Sequence, residues 1–202
     1  MWVSDDAKKA EAAASASAPS SEAKSQESHK LPVSVVLDTQ SKYQHIELLH
    51  DARDDSCWLY LNGRLQLHSA EQAAWHAVMV TLPLCLAPRI ERVLVLGGGD
   101  GLPAAAALAF DEVKEVTVVE LDPDMIRATR DAEPLRRLCG DSLRSPRVRV
   151  VCADALQFVT ECKEEHRFDV VIGDCEISTT SQPQAVTAAR LAAAFEQLSR
   201  IL

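Results

Sequence analysis

The sequence predicts an α/β fold in which a Rossmann-like, doubly wound parallel sheet follows a small N-terminal β-meander. From Arg92 onwards, short apolar runs rich in Val alternate with helix signals, as expected when parallel strands are covered on both faces. A glycine-rich turn, Gly97 to Gly101, joins the first of these runs to a helix. Upstream, Asn62-Gly63 separates two apolar stretches, which is typical of a tight hairpin.

The first thirty residues differ in composition from the rest of the chain. Residues 1–30 are mainly Ala, Ser, Lys and Glu, with almost no large apolar side chain after Val3. Such a segment cannot bury enough apolar surface to offset the entropy lost on ordering, so we predict a disordered tail. Its acidic residues argue against a transit peptide, and it has no apolar core of the kind that a secretory signal needs.

The next segment, residues 31–69, is predicted to be a small β domain. Trp58 to Leu61 and Arg64 to Leu67 flank Asn62-Gly63, a dipeptide that accepts the positive φ of a two-residue turn. An earlier strand from Tyr43 to Leu49 and a polar turn at Asp51 to Asp55 complete the predicted meander.

Residues 70–202 are predicted to form the α/β domain. A helix is expected from Ala70 to Leu82, ending near Pro83. Pro103 and the pair Asp122-Pro123 mark the starts of later helices. The predicted parallel strands are Val93 to Leu96, Val116 to Val119, Val148 to Cys152 and Phe168 to Ile172, and the last helix is expected from Ala185 to Leu202.

Composition narrows the class of protein. The chain has 202 residues, 47% of them hydrophobic and 25% charged, which is ordinary for a soluble globular protein. Its net charge of -9 argues against nucleic acid as the main partner, since phosphate binding requires clustered Lys and Arg. The six cysteines are scattered without metal-ligand spacing, so we expect no metal site and a reducing, cytoplasmic location.

Four of the seven glycines fall within the turn Gly97 to Gly101. The turn joins a strand to a helix with almost no side chains, which lets a nucleoside-sized ligand touch the backbone. Glycine is scarce elsewhere, so the cluster indicates that the backbone of this turn needs a conformation or a close approach that side chains would prevent.

Carboxylates follow the ends of the predicted parallel strands. Asp100 lies in the glycine turn, Glu120 ends the second strand, Asp154 follows the third and Asp174 ends the fourth. A single acid at such a place is commonly a helix cap, but ligands bind at the carboxyl edge of these sheets, and four acids reach that edge. Their joint placement favours a binding site for a cationic ligand.

Glu120 has the spacing from the glycine turn at which an acid meets a ribose diol in dinucleotide and nucleoside folds. This pattern alone does not separate nicotinamide enzymes from enzymes that use adenosylmethionine. A redox function therefore stays open on these residues, although the turn is shorter than a full G-x-G-x-x-G.

From about Tyr43 to Leu202 the chain resembles the polyamine aminopropyltransferases, typified by spermidine synthase. The resembling segments are Tyr43-Gln44-x-Ile46, Leu61-Asn62-Gly63-x-x-Gln66, Trp75-His76, the Gly97 to Gly101 turn, Glu120-Leu121-Asp122, the Asp154 region and Phe168 to Asp174. The resemblance implies a fold of the S-adenosylmethionine-dependent transferase type and transfer of an aminopropyl group from decarboxylated S-adenosylmethionine to a polyamine. That nucleoside would be a co-substrate, with no permanently bound cofactor.

The resemblance also implies roles for individual residues. Asp174 corresponds to the catalytic acid, and Asp100, assisted by Gln44, would hold the cationic amine of the aminopropyl arm. Glu120 would bind the ribose hydroxyls and Asp154 would lie near the adenine. The glycines of the turn that would contact the nucleoside are Gly97, Gly99 and Gly101, and the residues that would border the polyamine are Gln66, Trp75, His76 and Glu176.

The chain departs from the family pattern in the loop after the fourth strand and upstream, where the usual Asp-Glu pair appears as Glu71-Gln72 and Tyr as Trp75. The loop that usually reads Asp-Ser-Ser-Asp-Pro begins here at Asp174 and has Ile177 in place of its second acid, so Glu176 is the candidate substitute. Trp75 stands where the family has Tyr, which removes a hydroxyl that could contact the substrate.

Three functions remain open from the sequence. The first is an aminopropyltransferase that releases 5′-methylthioadenosine, and the second is a methyltransferase on the same scaffold. The third is a non-catalytic partner of a full-length homologue, because family members continue beyond the helix that ends at Leu202. We expect a fragment or a degenerate paralogue, acting as a homodimer or with a full-length homologue, with no nucleic acid or membrane as partner.

Overall fold

The structure is a computed structural model that describes residues 32–163, 167–175 and 184–202. Residues 32–202 form one compact unit. The predicted tail of residues 1–30, together with Glu176 and Ile177, lies outside the described residues. None of the described helices has the length and apolar character needed to cross a bilayer.

The N-terminal sheet is an antiparallel meander of four strands in sequential order. Its strands are β1 (Val33–Gln40), β2 (His45–Asp51), β3 (Ser56–Leu61) and β4 (Arg64–His68). The hairpin between β3 and β4 is confirmed, since Asn62 and Gly63 have φ of 52° and 72°.

Strand β1 was not among the predicted strands. It is an edge strand that is mostly exposed, so its side chains lack the alternation of apolar and polar residues that a half-buried strand shows. A register shift between Val35 and Leu37 further disturbs its period.

The helical stretch after the meander passes through Pro83, so the predicted end near Pro83 was wrong. It consists of α1 (Gln72–His76), a π-helical segment (Ala77–Thr81) and α2 (Leu82–Leu86). Pro83 lies at the start of α2, directly after the wider π turn, where the N–H of Leu82 donates to the carbonyl of Ala77. A proline is tolerated there because a first-turn position requires no intrahelical N–H bond.

The second sheet is parallel and has the order β7-β6-β5-β8, which confirms the predicted α/β class. In chain order its elements are β5 (Arg92–Gly97), α3 (Leu102–Leu108), β6 (Glu115–Glu120), α4 (Pro123–Asp131), α5 (Glu133–Leu138), a 3₁₀ turn (Ser142–Arg144), β7 (Val148–Cys152), α6 (Ala155–Glu161), β8 (Val170–Asp174) and α7 (Gln184–Ile201). The predicted cap of α4 is confirmed, since the Asp122 carboxylate accepts from the N–H of Asp124.

The meander and the helices after the glycine turn share a hydrophobic cluster. Ile46 and Leu48 of β2 pack with Leu102 of α3 and Met125 of α4, and all four are at least 97% buried. This contact holds the meander against the carboxyl edge of the parallel sheet. A separate domain boundary near residue 70 stays a prediction.

Candidate active site

The glycine turn brings β5 and β8 together at the carboxyl edge of the sheet. Gly97 has φ of 88°, and a Cβ placed there would lie 2.0 Å from the carbonyl oxygen of Asp174. Gly101, with φ of 78°, is similarly confined by the hydroxyl of Ser142, which donates to the Gly101 carbonyl at 2.6 Å. These contacts explain why both positions are glycine, since a side chain at Gly97 would push the end of β5 away from Asp174 and one at Gly101 would displace Ser142.

Glu120 is bonded to the same turn. Its carboxylate accepts from the N–H of Gly99 at 3.1 Å and from the N–H of Asp122 at 2.9 Å. A Cβ on Gly99 would lie 2.7 Å from Glu120 Oε2, so only glycine permits this approach. Burial raises the pKa of Glu120, and the two N–H donors partly offset that rise.

Asp154 is the N-cap of α6. Its carboxylate accepts from the N–H of Gln157 at 2.9 Å, which is the role that an isolated acid most commonly has at this position. The cap does not remove the acid from the sheet edge, because only Ala153 separates Asp154 from the end of β7. Its contact with adenine stays a prediction.

A cavity of about 460 Å³ lies at the carboxyl edge of β5 and β8. It brings together five of the residues that the sequence singled out, namely Gln66, Trp75, His76, Asp100 and Asp174. Strand β4 and helix α1 form one side of this cavity, and the ends of β5 and β8 supply the two carboxylates. The volume suits a small organic molecule.

Asp100 and Asp174 form the acidic end of the cavity. Both are half-buried. Burial, with the negative charges of Asp174 and Glu120, raises the pKa of Asp100 from 3.8 to about 7. Burial also raises the pKa of Asp174, and His76 acts in the opposite direction. Because both carboxylates are desolvated and Asp100 also experiences the negative charge of Asp174, a cation placed between them would be strongly favoured.

His76 is held in one orientation. Its Nδ1 lies 2.7 Å from the carbonyl oxygen of Gln72, one helical turn earlier, and the ring is buried. A carbonyl can only accept, so Nδ1 carries the proton and donates. In the neutral ring, Nε2 is then a hydrogen-bond acceptor.

Gln44 lies apart from the acidic end of the cavity. Its side-chain amide donates to Asp122 Oδ2 at 3.0 Å, and the buried hydroxyl of Ser41 donates to the same oxygen at 2.6 Å. Through Asp122, which donates its N–H to Glu120, both residues tie the meander to the Glu120 side of the site. Contact between Gln44 and an aminopropyl amine stays a prediction.

Sequence reasoning missed several cavity residues, of which His68 is the clearest. His68 is not among the predicted site residues, but it lines the cavity and stacks on Trp58 with ring centroids 5.2 Å apart. The alternation along β4 contained the signal, because Gln66 and His68 are two residues apart and share a face. Leu67, Glu71 and Val78 also line the cavity.

Residues 72–199 match the family model of the spermine/spermidine synthase domain. The chain belongs to the spermine/spermidine synthase family. The resemblance drawn from the sequence is thereby confirmed.

Curated relatives of this family member include bacterial polyamine aminopropyltransferases. Polyamine aminopropyltransferase 1 of Streptomyces coelicolor is 43% identical over 116 residues, covering 57% of this chain and 21% of that protein. The polyamine aminopropyltransferase of Oceanobacillus iheyensis is 35% identical over 135 residues, covering 67% of this chain and 26% of that protein. The chain thus spans only 21% and 26% of the length of these two relatives.

Two solved structures share the fold of this family member. A spermidine synthase in complex with the transition-state analogue AdoDATO has a TM-score of 0.70 at 24% identity, covering 83% of this chain and 54% of that one. Spermidine synthase from Thermotoga maritima has a TM-score of 0.64 at 22% identity, covering 83% and 64%.

Proposed function

We propose that this chain transfers an aminopropyl group from decarboxylated S-adenosylmethionine to a polyamine and releases 5′-methylthioadenosine. The observation that carries the proposal is the pair Asp100 and Asp174, two half-buried carboxylates in one cavity whose pKa values are both raised. Membership of the spermine/spermidine synthase family supports the same reaction class.

The charge of the cavity selects among sulfonium nucleosides. Decarboxylated S-adenosylmethionine carries a sulfonium and an ammonium, whereas the ordinary compound has an additional carboxylate beside its amine. That carboxylate would meet Asp100 and be repelled, so Asp100 favours the decarboxylated form. Methyl transfer from ordinary S-adenosylmethionine is disfavoured for the same reason.

The proposed reaction is a displacement at carbon. A neutral amine nitrogen of the acceptor attacks the methylene beside the sulfonium, the carbon–sulfur bond breaks, and its electron pair stays on sulfur as a thioether. The attacking nitrogen gives its proton to Asp174. The raised pKa of Asp174 makes this carboxylate a stronger base than an exposed one, which helps it to accept the proton.

The remaining residues position the two substrates. We assign Glu120 and the backbone of Gly97, Gly99 and Gly101 to the nucleoside, with Asp154 near the adenine and Gln44 on the Glu120 side. Gln66, Trp75 and His76 would border the acceptor, whose hydrocarbon segments suit the apolar part of the cavity wall. Glu176, which lies outside the described residues, is assigned to the acceptor from the sequence alone. All six cysteines are free thiols, which fits a reducing compartment, so we place the reaction in the cytoplasm.

The deciding experiment incubates the full chain with decarboxylated S-adenosylmethionine and putrescine, spermidine or spermine. Mass spectrometry should detect 5′-methylthioadenosine together with an acceptor that has gained one aminopropyl group. A parallel reaction with ordinary S-adenosylmethionine should give no methylated amine. Formation of S-adenosylhomocysteine there would favour a methyltransferase, and binding of the decarboxylated compound without turnover would favour a non-catalytic partner.

A further inference from the structure

Glu71 and Trp75 lie next to one another on the helix that borders the cavity. They are four residues apart at the start of α1, where the N–H of Trp75 donates to the carbonyl of Glu71 at 3.2 Å, so their side chains are neighbours on the helix surface. The N–H of Glu71 donates to the carbonyl of His68 at 3.0 Å, which fixes the start of the helix against β4. Both side chains line the cavity that also holds Asp100 and Asp174.

The cavity has carboxylates near both ends of α1. At the end of this helix, burial raises the pKa of Asp174 and the nearby His76 opposes that rise. Glu71 precedes the helix and is five residues from His76, which corresponds to about 7.5 Å along the helix axis. In the part of the chain that the structure describes, no Lys or Arg lines the cavity and no partner of the Glu71 carboxylate is found. This carboxylate is therefore available to a ligand.

The indole of Trp75 adds a second group that attracts a cation. It is 65% exposed and lines the cavity, so its face is open to a ligand. A Trp ring attracts an ammonium more strongly than a Tyr or Phe ring does. Glu71 is also one methylene longer than the Asp that the family has at this position, so its carboxylate reaches further from the helix. Both departures from the family pattern favour a cation at the same place on the cavity wall.

We infer that Glu71 and Trp75 bind the second ammonium of the acceptor, the one that does not react, while the reacting amine lies at Asp174. The inference rests on the proposed function and makes Glu71 a specificity-determining residue of that reaction. An extended alkyl chain advances roughly 1.2 Å per bond, so the five bonds between the nitrogens of a four-carbon diamine span roughly 6 Å. This length is comparable with the separation of Glu71 and His76 along α1. The acceptor is accordingly a diamine or a longer polyamine, since a monoamine leaves Glu71 unpaired.

Two acceptors that differ only in the second ammonium test the inference. The full chain should use putrescine with a kcat/KM about tenfold above that for butan-1-amine, which has the same reacting end. Glu71→Gln should lower this ratio about fivefold, mainly through the KM for putrescine, which is the range of an exposed ion pair. Trp75→Leu should lower it about threefold through loss of the cation–π contact. Glu112→Gln, which alters an exposed Glu outside the cavity, is the matched control and should keep the ratio.

Shortening the side chain tests where the charge lies. Glu71→Asp withdraws the carboxylate by one methylene, so a longer acceptor should fit the variant better. The ratio of kcat/KM for five-carbon cadaverine to that for four-carbon putrescine should rise about threefold. A side chain that only supports the start of α1 would affect both diamines equally. Equal losses for the two diamines would therefore contradict the assigned contact.

Calorimetry separates this inference from the proposed reaction. Binding of putrescine and of butan-1-amine is measured with 5′-methylthioadenosine present, so that no turnover takes place. If the chain transfers an aminopropyl group to no amine, the proposed reaction fails, yet putrescine should still bind more tightly than butan-1-amine and Glu71→Gln should remove most of the difference. Circular dichroism should show that the variants keep the fold. Equal affinity of the two amines for the unaltered chain, or a difference that Glu71→Gln leaves intact, overturns the inference.

Discussion

A Cβ on Gly97 would lie 2.0 Å from the carbonyl oxygen of Asp174. The end of β5 therefore fixes the position of Asp174, which we propose accepts the proton. The clash involves backbone, which cannot rotate away as a long side chain can. Gly97 also has φ of 88°, a region that side chains rarely adopt. The glycine turn therefore sets the geometry of the acidic end of the cavity.

Gly97→Ala should separate the two strand ends. We expect the free energy of unfolding to fall by about 3 kcal/mol, since positive φ and a backbone clash act together, and we expect turnover to be lost. Gly173→Ala is the matched control, because nothing lies within 4 Å of a Cβ at that position of β8. Urea denaturation of both variants measures the difference. Equal stability of the two variants would contradict the close contact.

Asp174→Asn should remove the proton acceptor and keep the shape of the cavity. Turnover should fall by roughly 10²- to 10⁴-fold, the range expected for loss of a general base. The affinity for 5′-methylthioadenosine should change little, because this product lacks the aminopropyl group and contains no amine that reacts at Asp174. Asp111→Asn, which alters an exposed acid outside the site, should retain full activity. A normal rate in Asp174→Asn would exclude Asp174 from the proton transfer.

Asp100→Asn should reduce discrimination between the two sulfonium nucleosides. The amide oxygen of Asn can still accept from the N–H of Leu102, so the turn keeps its hydrogen bond. Calorimetry should show weaker binding of decarboxylated S-adenosylmethionine and unchanged or stronger binding of the carboxylated compound. 5′-Methylthioadenosine serves as the neutral reference ligand. An unaltered ratio of the two affinities would remove Asp100 from the selection.

The raised pKa of Asp100 also predicts a pH dependence of stability. Its pKa is about 7 in the folded chain against a usual value of 3.8, so between these values the folded state holds a proton that the unfolded chain has released. The bound proton stabilises the folded chain fully below pH 3.8, and this contribution to the free energy of unfolding is lost as the pH rises through about 7. The unliganded wild type should therefore lose stability relative to Asp100→Asn over that interval. Denaturation of both proteins at matched pH values checks the sign, and parallel curves would contradict it.

The fold was predictable where local rules and tertiary packing agree. Buried parallel strands form continuous Val-rich runs, and Asp122-Pro123 carries a cap and a first-turn proline that need no tertiary contact. The edge strand β1 and the passage of the helix through Pro83 depend on contacts that no local pattern reports. They were the places where the sequence reading failed.

The site was predictable at the strand ends and less so at the cavity wall. Topology alone places Asp100, Glu120 and Asp174 at one edge of a parallel sheet. The attachment of Gln44 to Asp122 depends on how the meander packs, and a hydrogen bond across 78 residues of sequence leaves no periodic signal. His68 was missed although its face could have been inferred from Gln66.

Ser41→Ala should loosen the meander from the Glu120 side of the site. The buried Ser41 hydroxyl donates to Asp122 Oδ2 at 2.6 Å and accepts from the N–H groups of Tyr43 and Gln44. Its removal takes one of two donors from Asp122 Oδ2 and leaves the part-buried N–H groups of Tyr43 and Gln44 without this acceptor, which should lower the free energy of unfolding by about 2 kcal/mol. Ser34→Ala is the matched control, because that hydroxyl is exposed and its contact with the His50 carbonyl is a weak 3.5 Å. Thermal and urea denaturation should separate the two variants, and equal stability would show that the Ser41 contact contributes nothing to holding the meander in place.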